Sequence, residues 1–331
     1  MKGIKPEIIV DIGSCWNDTA DLLIAVSLAK AVGADVIKYQ YYTHEDLYGV
    51  PGPEGYKGGI PEHILPQLAE KAEACKIELM VTAFSERGVD IVDPYVKRHK
   101  IAASEASWLP FVQYVALKGK PVIATVGHMN RSSQQMTIKA LLDLSINPTF
   151  LYGEPEYPCD GYNLNCLRSL SESIPSCVGK VGKAWRIGLS DHSTTKWSVA
   201  VEAAMWGADV IEKHVQFAQG DFPDSCVALK GAGELLAFVQ SVKYGSEVIH
   251  GDRTAYVTRY NRRLIASKDI AMGARFEECE NYGGYRSLVD DTQAFSANIC
   301  INSYSAARDI KAGEPIGPSM IGTHVAAEDL F

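Results

Sequence analysis

The chain has 331 residues with 40 acidic against 32 basic side chains, a formal net charge of −8. That balance argues against a nucleic-acid partner, and no apolar run reaches the length of a membrane span. Eight cysteines are scattered without a Cys-x-x-Cys pair, which excludes a zinc ribbon or a dithiol redox motif. No signal-peptide pattern opens the chain, so a cytoplasmic protein is expected. Cys75, Cys177 and Cys300, in apolar surroundings, are expected to be small buried hydrophobes.

In chain order the rhythm is a short apolar strand followed by a helix. Glu7 to Gly13 predicts the first strand. Asn17 or Asp18 caps a helix with apolar spacing from Ala20 to Ala31, which Gly33 stops. Asp35 to Gln40 is the second strand, and the long loop Tyr41 to Gly59 is unusual enough to suggest function. Pro61 opens a helix ending near Lys76. Further strands are expected at Ile77–Phe84, His99–Ser104, Pro121–Gly127, Thr149–Glu154, Ile187–His192 and Asp209–Phe217, with helices between and a last helix near Gly233 to Ile249. Eight strand–helix units in this span predict a (β/α)8 barrel of about 250 residues. Gly33-Ala34-Asp35-Val36-Ile37 recurs as Gly207-Ala208-Asp209-Val210-Ile211, a repeated helix stop and strand start. After about Asp252 the pattern becomes short strands and turns. We expect a barrel over 1–252 and a small β-rich domain over 253–331, with the linker near His250 to Tyr260.

Barrel chemistry belongs at the C-terminal ends of the strands. Two runs, Gly188 to Ser193 and Val210 to His214, each end in metal-capable residues. Strand alternation puts Ser190 with His192 on one face and Glu212 with His214 on one face. Two neutral imidazoles on neighbouring strands suit Mn²⁺, Fe²⁺, Co²⁺ or Zn²⁺, water and substrate oxygen completing the shell; the alternative is a pair of hydrogen-bonded core histidines. Lys38 sits in an otherwise apolar strand and should meet an anion. With Lys100, Thr82, Ser104, Thr125 and Ser190 it would make a phosphate pocket, unless the lysines pair with a barrel carboxylate such as Glu212. His99, at a strand start, and His128, on a top loop, read as structural. Cys15, Cys159 and Cys226 have no evident base beside them. No dinucleotide or Walker loop is present.

These residues, in order, resemble the sialic acid (nonulosonic acid) synthase family along nearly the whole chain. The matching pieces are Ile37-Lys38-Tyr39-Gln40, Thr82-Ala83-Phe84, Lys100 to Glu105, Lys120 to Ile123, Tyr157-Pro158, Ser190-Asp191-His192, Glu212-Lys213-His214 and Pro223-Asp224. Lys268-Asp269-Ile270 and Arg308 to Glu314 look like the family's C-terminal antifreeze-like (SAF) domain. The resemblance implies condensation of phosphoenolpyruvate with an open-chain N-acylated amino-sugar, releasing phosphate. It implies a divalent cation, Mn²⁺ with Mg²⁺ or Co²⁺ as alternatives, on His192 and His214. Phosphoenolpyruvate falls to Lys38, Thr82, Lys100, Ser104, Thr125 and Ser190, and the sugar to Gln40, Tyr157, Asp224 and Arg286. Glu105 and Asp11 are the acid–base candidates. It also implies a domain-swapped homodimer in which the small domain supplies Arg286 to the partner's barrel. The chain departs from the family pattern at Ser14 to Asp18, at Ala103 and at Pro155. A metal-dependent aldolase on a phosphorylated substrate is equally allowed by fold and site composition, and a weakly active sugar-binding relative is the third reading.

Overall fold

The computed structural model describes residues 5–127, 129–154, 156–159, 162–178, 185–195 and 197–250. Beyond them it describes 262–266, 268–272, 274, 282–286, 304–312, 314 and 320–324. The side chains at 175–178, 247–250, 262–266, 282–286, 304–305 and 321–324 lie outside this description. His128, Pro155, Cys300 and the expected linker after His250 lie outside the described residues, as do the side chains of Cys177 and Arg286.

The barrel strands are β1 (Glu7–Asp11), β2 (Val36–Tyr41), β3 (Glu78–Ala83), β4 (His99–Ile101), β5 (Val122–Thr125), β6 (Thr149–Gly153), β7 (Arg186–Asp191) and β8 (Val210–Gln216). Each pairs in parallel with the next, and β1 pairs with β8, so the sheet closes. A two-residue strand, β9 (Leu229–Lys230), extends β8. The helices are α1 (Thr19–Ala31), α2 (His44–Tyr48), α3 (Leu65–Cys75), α4 (Glu86–Val92), α5 (Leu109–Ala116), α6 (Arg131–Leu144), α7 (Asn165–Val178), α8 (Ser198–Met205) and α9 (Gly231–His250). This is the expected (β/α)8 barrel.

Strand alternation builds two cores. Outward residues such as Ile8, Val10, Ile37 and Val81 pack against the helices, while Ile9, Val36, Met80, Ile123, Leu151 and Val210 fill the lower barrel interior. Both faces are covered, which is why the strands read as apolar runs.

The repeated pentapeptide is a repeated structure. Gly33 and Gly207 adopt φ of +87° and +92° at the ends of α1 and α8. Gly33 N donates to Lys30 O and Ala34 N to Ala29 O; Gly207 N donates to Ala204 O and Ala208 N to Ala203 O. These are the two bonds of a glycine-terminated helix, open at low cost only to a residue without Cβ. Asp35 and Asp209 then each accept a backbone N–H from the preceding strand, Ile8 N at 2.9 Å and Ile187 N at 3.1 Å.

Three expectations shift. The loop after β2 contains α2, nucleated by a capping box between Thr43 and Asp46. Pro61 opens only a 3₁₀ turn, Glu62–Ile64, and Pro66 sits in the first turn of α3. β4 ends at Ile101, because Ala102 to Ser107 turns away from the sheet.

The chain divides into Met1–Gly251 and Asp252–Phe331. In the second unit, β10 (Arg262–Ala266) pairs antiparallel with β11 (Tyr282–Arg286), and β12 (Tyr304–Ala306) with β13 (Ile321–His324). Ile270 and Ile310 form an antiparallel bridge. Asp269 Oδ1 accepts from Ala312 N at 2.9 Å and Asp309 Oδ1 from Met272 N at 2.7 Å, so two like turns clasp each other.

Candidate active site

Register places the polar side chains at one level of the barrel. Asp11 pairs with Lys38 on β2 and with His214 on β8, and Ser190 pairs with Glu212. Thr82 pairs with both Gln40 and Lys100. Above the apolar layer these residues line a cavity of about 280 Å³, together with Phe84, Ala103, Ser104, Thr125, Tyr157, His192 and Asp224.

Lys38 Nζ lies 2.7 Å from Asp11 Oδ2 and 3.5 Å from Glu212 Oε2, and donates to Thr82 Oγ1 at 3.3 Å. Lys100 Nζ lies 3.5 Å from Glu212 Oε1 and donates to Thr125 Oγ1 at 3.0 Å. Both lysines therefore pair with barrel carboxylates, and Glu212 stands between them. Ser190 Oγ donates to Glu212 at 2.9 Å, and Gln40 Nε2 to Asp11 at 3.2 Å. Burial alone would raise the Asp11 carboxyl. The Lys38 ammonium, with His214 beside it, holds it well below the usual carboxylate range. Burial would likewise lower Lys38, but Asp11 and Glu212 keep it above the ordinary lysine value. Lys100 differs: burial draws it below that value despite Glu212.

Across the cavity, His192 Nδ1 faces the Glu154 carbonyl at 2.8 Å. A carbonyl only accepts, so Nδ1 carries the hydrogen and Nε2 keeps its lone pair. Burial, with His214 nearby, lowers His192 to about 3, so the ring is neutral. Tyr157 Oη lies 2.6 Å from His192 Nε2 and 3.3 Å from His214 Nε2, so both nitrogens converge on one point. Tyr162 pins the strand end: its hydroxyl donates to Ser190 O and accepts from His192 N, each at 2.8 Å. Two convergent Nε2 atoms, one ring locked by a carbonyl, fit a divalent cation of the Mn²⁺ or Co²⁺ kind. Among the described residues no cluster of three His, Cys, Asp or Glu surrounds that point. A cation held there would take its further ligands from Tyr157, water or substrate oxygen.

Glu105 adjoins one expected site residue, Ser104. It does not line the cavity; its carboxylate accepts from Ser104 Oγ at 2.7 Å. Burial pushes its carboxyl above the usual glutamate value, with the Ser104 hydroxyl opposing. Arg286 falls on β11, in the second unit. Glu212 was foreseen only as a partner for the lysines; its place two residues before His214, on the same strand face, was the signal for more. The pair Asp191–Lys213 and the clasp of Ser14 on Asp224 were not foreseen. His99 is structural as expected, its Nε2 2.8 Å from Asp93. Cys15 is buried, and burial lifts its thiol to about 12, which removes it as a nucleophile.

The NeuB family profile matches residues 25–253. The N,N'-diacetyllegionaminic acid synthase of Legionella pneumophila is 28% identical over 322 residues, covering 84% of this chain and 86% of that one. The pseudaminic acid synthase of Campylobacter jejuni is 28% identical over 342 residues, covering 94% and 95%. The crystal structure of the Bacillus subtilis spore coat polysaccharide biosynthesis protein spsE superposes with a TM-score of 0.64 at 20% identity, covering 96% of each chain, a likeness of fold. The chain belongs to the NeuB family, the sialic acid synthase family that its motifs resemble.

Proposed function

We propose that the protein condenses phosphoenolpyruvate with an open-chain N-acylated amino-sugar aldehyde, forming a nonulosonic acid and releasing phosphate. One observation carries this reading: a cavity with two buried lysines and two threonine hydroxyls on one side and two convergent histidine nitrogens on the other. The full-length likeness to two synthases of this class supports it.

Lys38 and Lys100, with Thr82, Thr125 and Ser104, hold the phosphate by charge-assisted and hydroxyl hydrogen bonds. Asp11 and Glu212 fix both ammonium groups in place before substrate arrives, so little reorganisation is needed on binding. His192 and His214 hold a divalent cation, Mn²⁺ in the leading form, which when bound supplies Lewis-acid polarisation of the acceptor carbonyl. The methylene carbon of phosphoenolpyruvate forms the new bond to the aldehyde carbon, leaving positive charge on its own neighbour. Asp11, ionised beside Lys38, takes one proton from the water as its oxygen bonds to that carbon, and the resulting hydroxyl passes its proton to the departing phosphate. Phosphate then leaves with its bridging oxygen. Glu105, bonded to Ser104 of the cavity lining, is the proton source for the new alkoxide through that hydroxyl. Gln40, Tyr157 and Asp224 face the sugar. The active assembly in this reading is a homodimer to which Arg286 of the partner subunit contributes.

The test is phosphate release from phosphoenolpyruvate with Mn²⁺ across a panel of N-acylated amino-sugars. Release with at least one acceptor is expected. No release with any, or reversible cleavage of a phosphosugar instead, overturns the reading. Chain mass in solution, and loss of turnover in Arg286→Ala, test the dimer.

A further inference from the structure

The turn after β1 is built around one carboxylate. Gly13 takes φ of +51°, and a Cβ there would stand 2.3 Å from Asp224 Oδ2 and 2.9 Å from His214 Nδ1. Only glycine lets the backbone approach so closely. The next residue closes the contact. Ser14 N donates to Asp224 Oδ2 at 2.7 Å and Ser14 Oγ to the same oxygen at 2.8 Å, while Asp224 N donates back to Ser14 Oγ at 3.0 Å. Asp224 sits on a short 3₁₀ turn, Pro223–Cys226, after β8. Asn17 Nδ2 reaches the same β8 loop at Gln219 O, 3.0 Å away. The turn that departs from the family pattern is thus what holds this loop.

We propose that Ser14 is a positioning residue for acceptor recognition. By saturating Oδ2 it fixes the Asp224 carboxylate and leaves Oδ1 to accept from hydroxyls of the acceptor sugar. The inference rests on the synthase reading and goes beyond it, because it assigns acceptor recognition to a residue outside the family motifs.

The experiment is steady-state kinetics of the full chain with Mn²⁺, phosphoenolpyruvate and the best acceptor of the panel. Wild type, Ser14→Ala, Asp224→Asn and the double variant are compared. Ser14→Ala loses the hydroxyl bond to the charged carboxylate and the acceptor for Asp224 N but keeps the Ser14 backbone bond, so KM for the acceptor should rise about tenfold. KM for phosphoenolpyruvate should stay within about twofold. In the Asp224→Asn background the serine change should add little, the mark of two residues acting as one. Ser14→Cys keeps the volume and weakens the donor, and gives the same split if the alanine variant does not fold. Equal rises in both KM values, an undiminished serine effect in the Asp224→Asn background, or unchanged kinetics would overturn the inference while turnover by wild type keeps the synthase reading. No turnover by wild type with any acceptor removes both.

Discussion

Lys213 Nζ lies 3.3 Å from Asp191 Oδ1 with both side chains fully out of solvent, at register partners on β7 and β8. Lys213 also donates to Ser193 O at 2.6 Å, and Asp191 Oδ1 accepts from Ser193 N at 2.8 Å. The pair occupies the strand face opposite the cavity and ties together the two strand ends that carry His192 and His214. Lys213→Met leaves Asp191 buried without its counter-charge. Removing one partner of a buried pair costs about 3–5 kcal/mol, so urea denaturation should show a loss of that size. A loss below about 1 kcal/mol would mean that the pair is not what holds these strand ends.

His192→Ala and His214→Ala should each abolish both Mn²⁺ binding, measured by calorimetry on the purified chain, and phosphate release. The geometry makes this a joint loss, because among the described residues no group of three His, Cys, Asp or Glu surrounds the point where the two nitrogens converge. Tight Mn²⁺ binding by either variant would place the cation elsewhere.

Lys100→Met should raise KM for phosphoenolpyruvate by about 10–100-fold, the range for one hydrogen bond to a charged group. The change also strips Glu212 of one of its two counter-ions, whereas Lys38 retains Asp11. Lys38→Met should therefore cost more stability than Lys100→Met, because Asp11 loses its nearest cation and Glu212 one of two equidistant ones. Thermal melting of the two variants checks the order.

At the opposite end of the barrel, Glu7 accepts from Arg98 and Arg186, and Arg98 Nε donates to Glu78 at 2.7 Å. Burial would raise the Glu7 carboxyl, but the two guanidinium groups hold it below its ordinary value of 4.5. A carboxyl depressed in the folded state adds stability above its unfolded value and loses it as pH falls through the folded one. Unfolding free energy should thus decline below about pH 4.5, and Glu7→Gln should flatten that part of the curve. A variant with the wild-type acid limb would exclude Glu7 as its source.

The barrel was legible because parallel strands covered on both faces must be apolar throughout, so Ile8 to Val10 and Val210-Ile211 announced themselves. The histidine pair was legible from alternation and position. What escaped was whatever depends on distance across the ring. Glu212 was named as a partner for either lysine, but nothing local says that it stands between both, and nothing in Ser14 says that its partner lies after β8. The five-residue α2 escaped because a capping box, rather than apolar period, defines it. Glu105 was assigned from its motif and strand-end position; the turn after the short β4 bonds its carboxylate to Ser104 of the cavity lining, a contact that spacing alone does not show.

Closure of the sheet by β1 on β8 sets Asp11 beside His214. The two halves of the site therefore leave the ribosome at opposite ends of barrel synthesis. A nascent chain lacking β8 carries the lysines of β2 and β4 with neither Glu212 nor the second imidazole. The ring of strand residues is thus complete only with the last barrel strand, and substrate or cation has nothing complete to engage in any shorter piece of the chain.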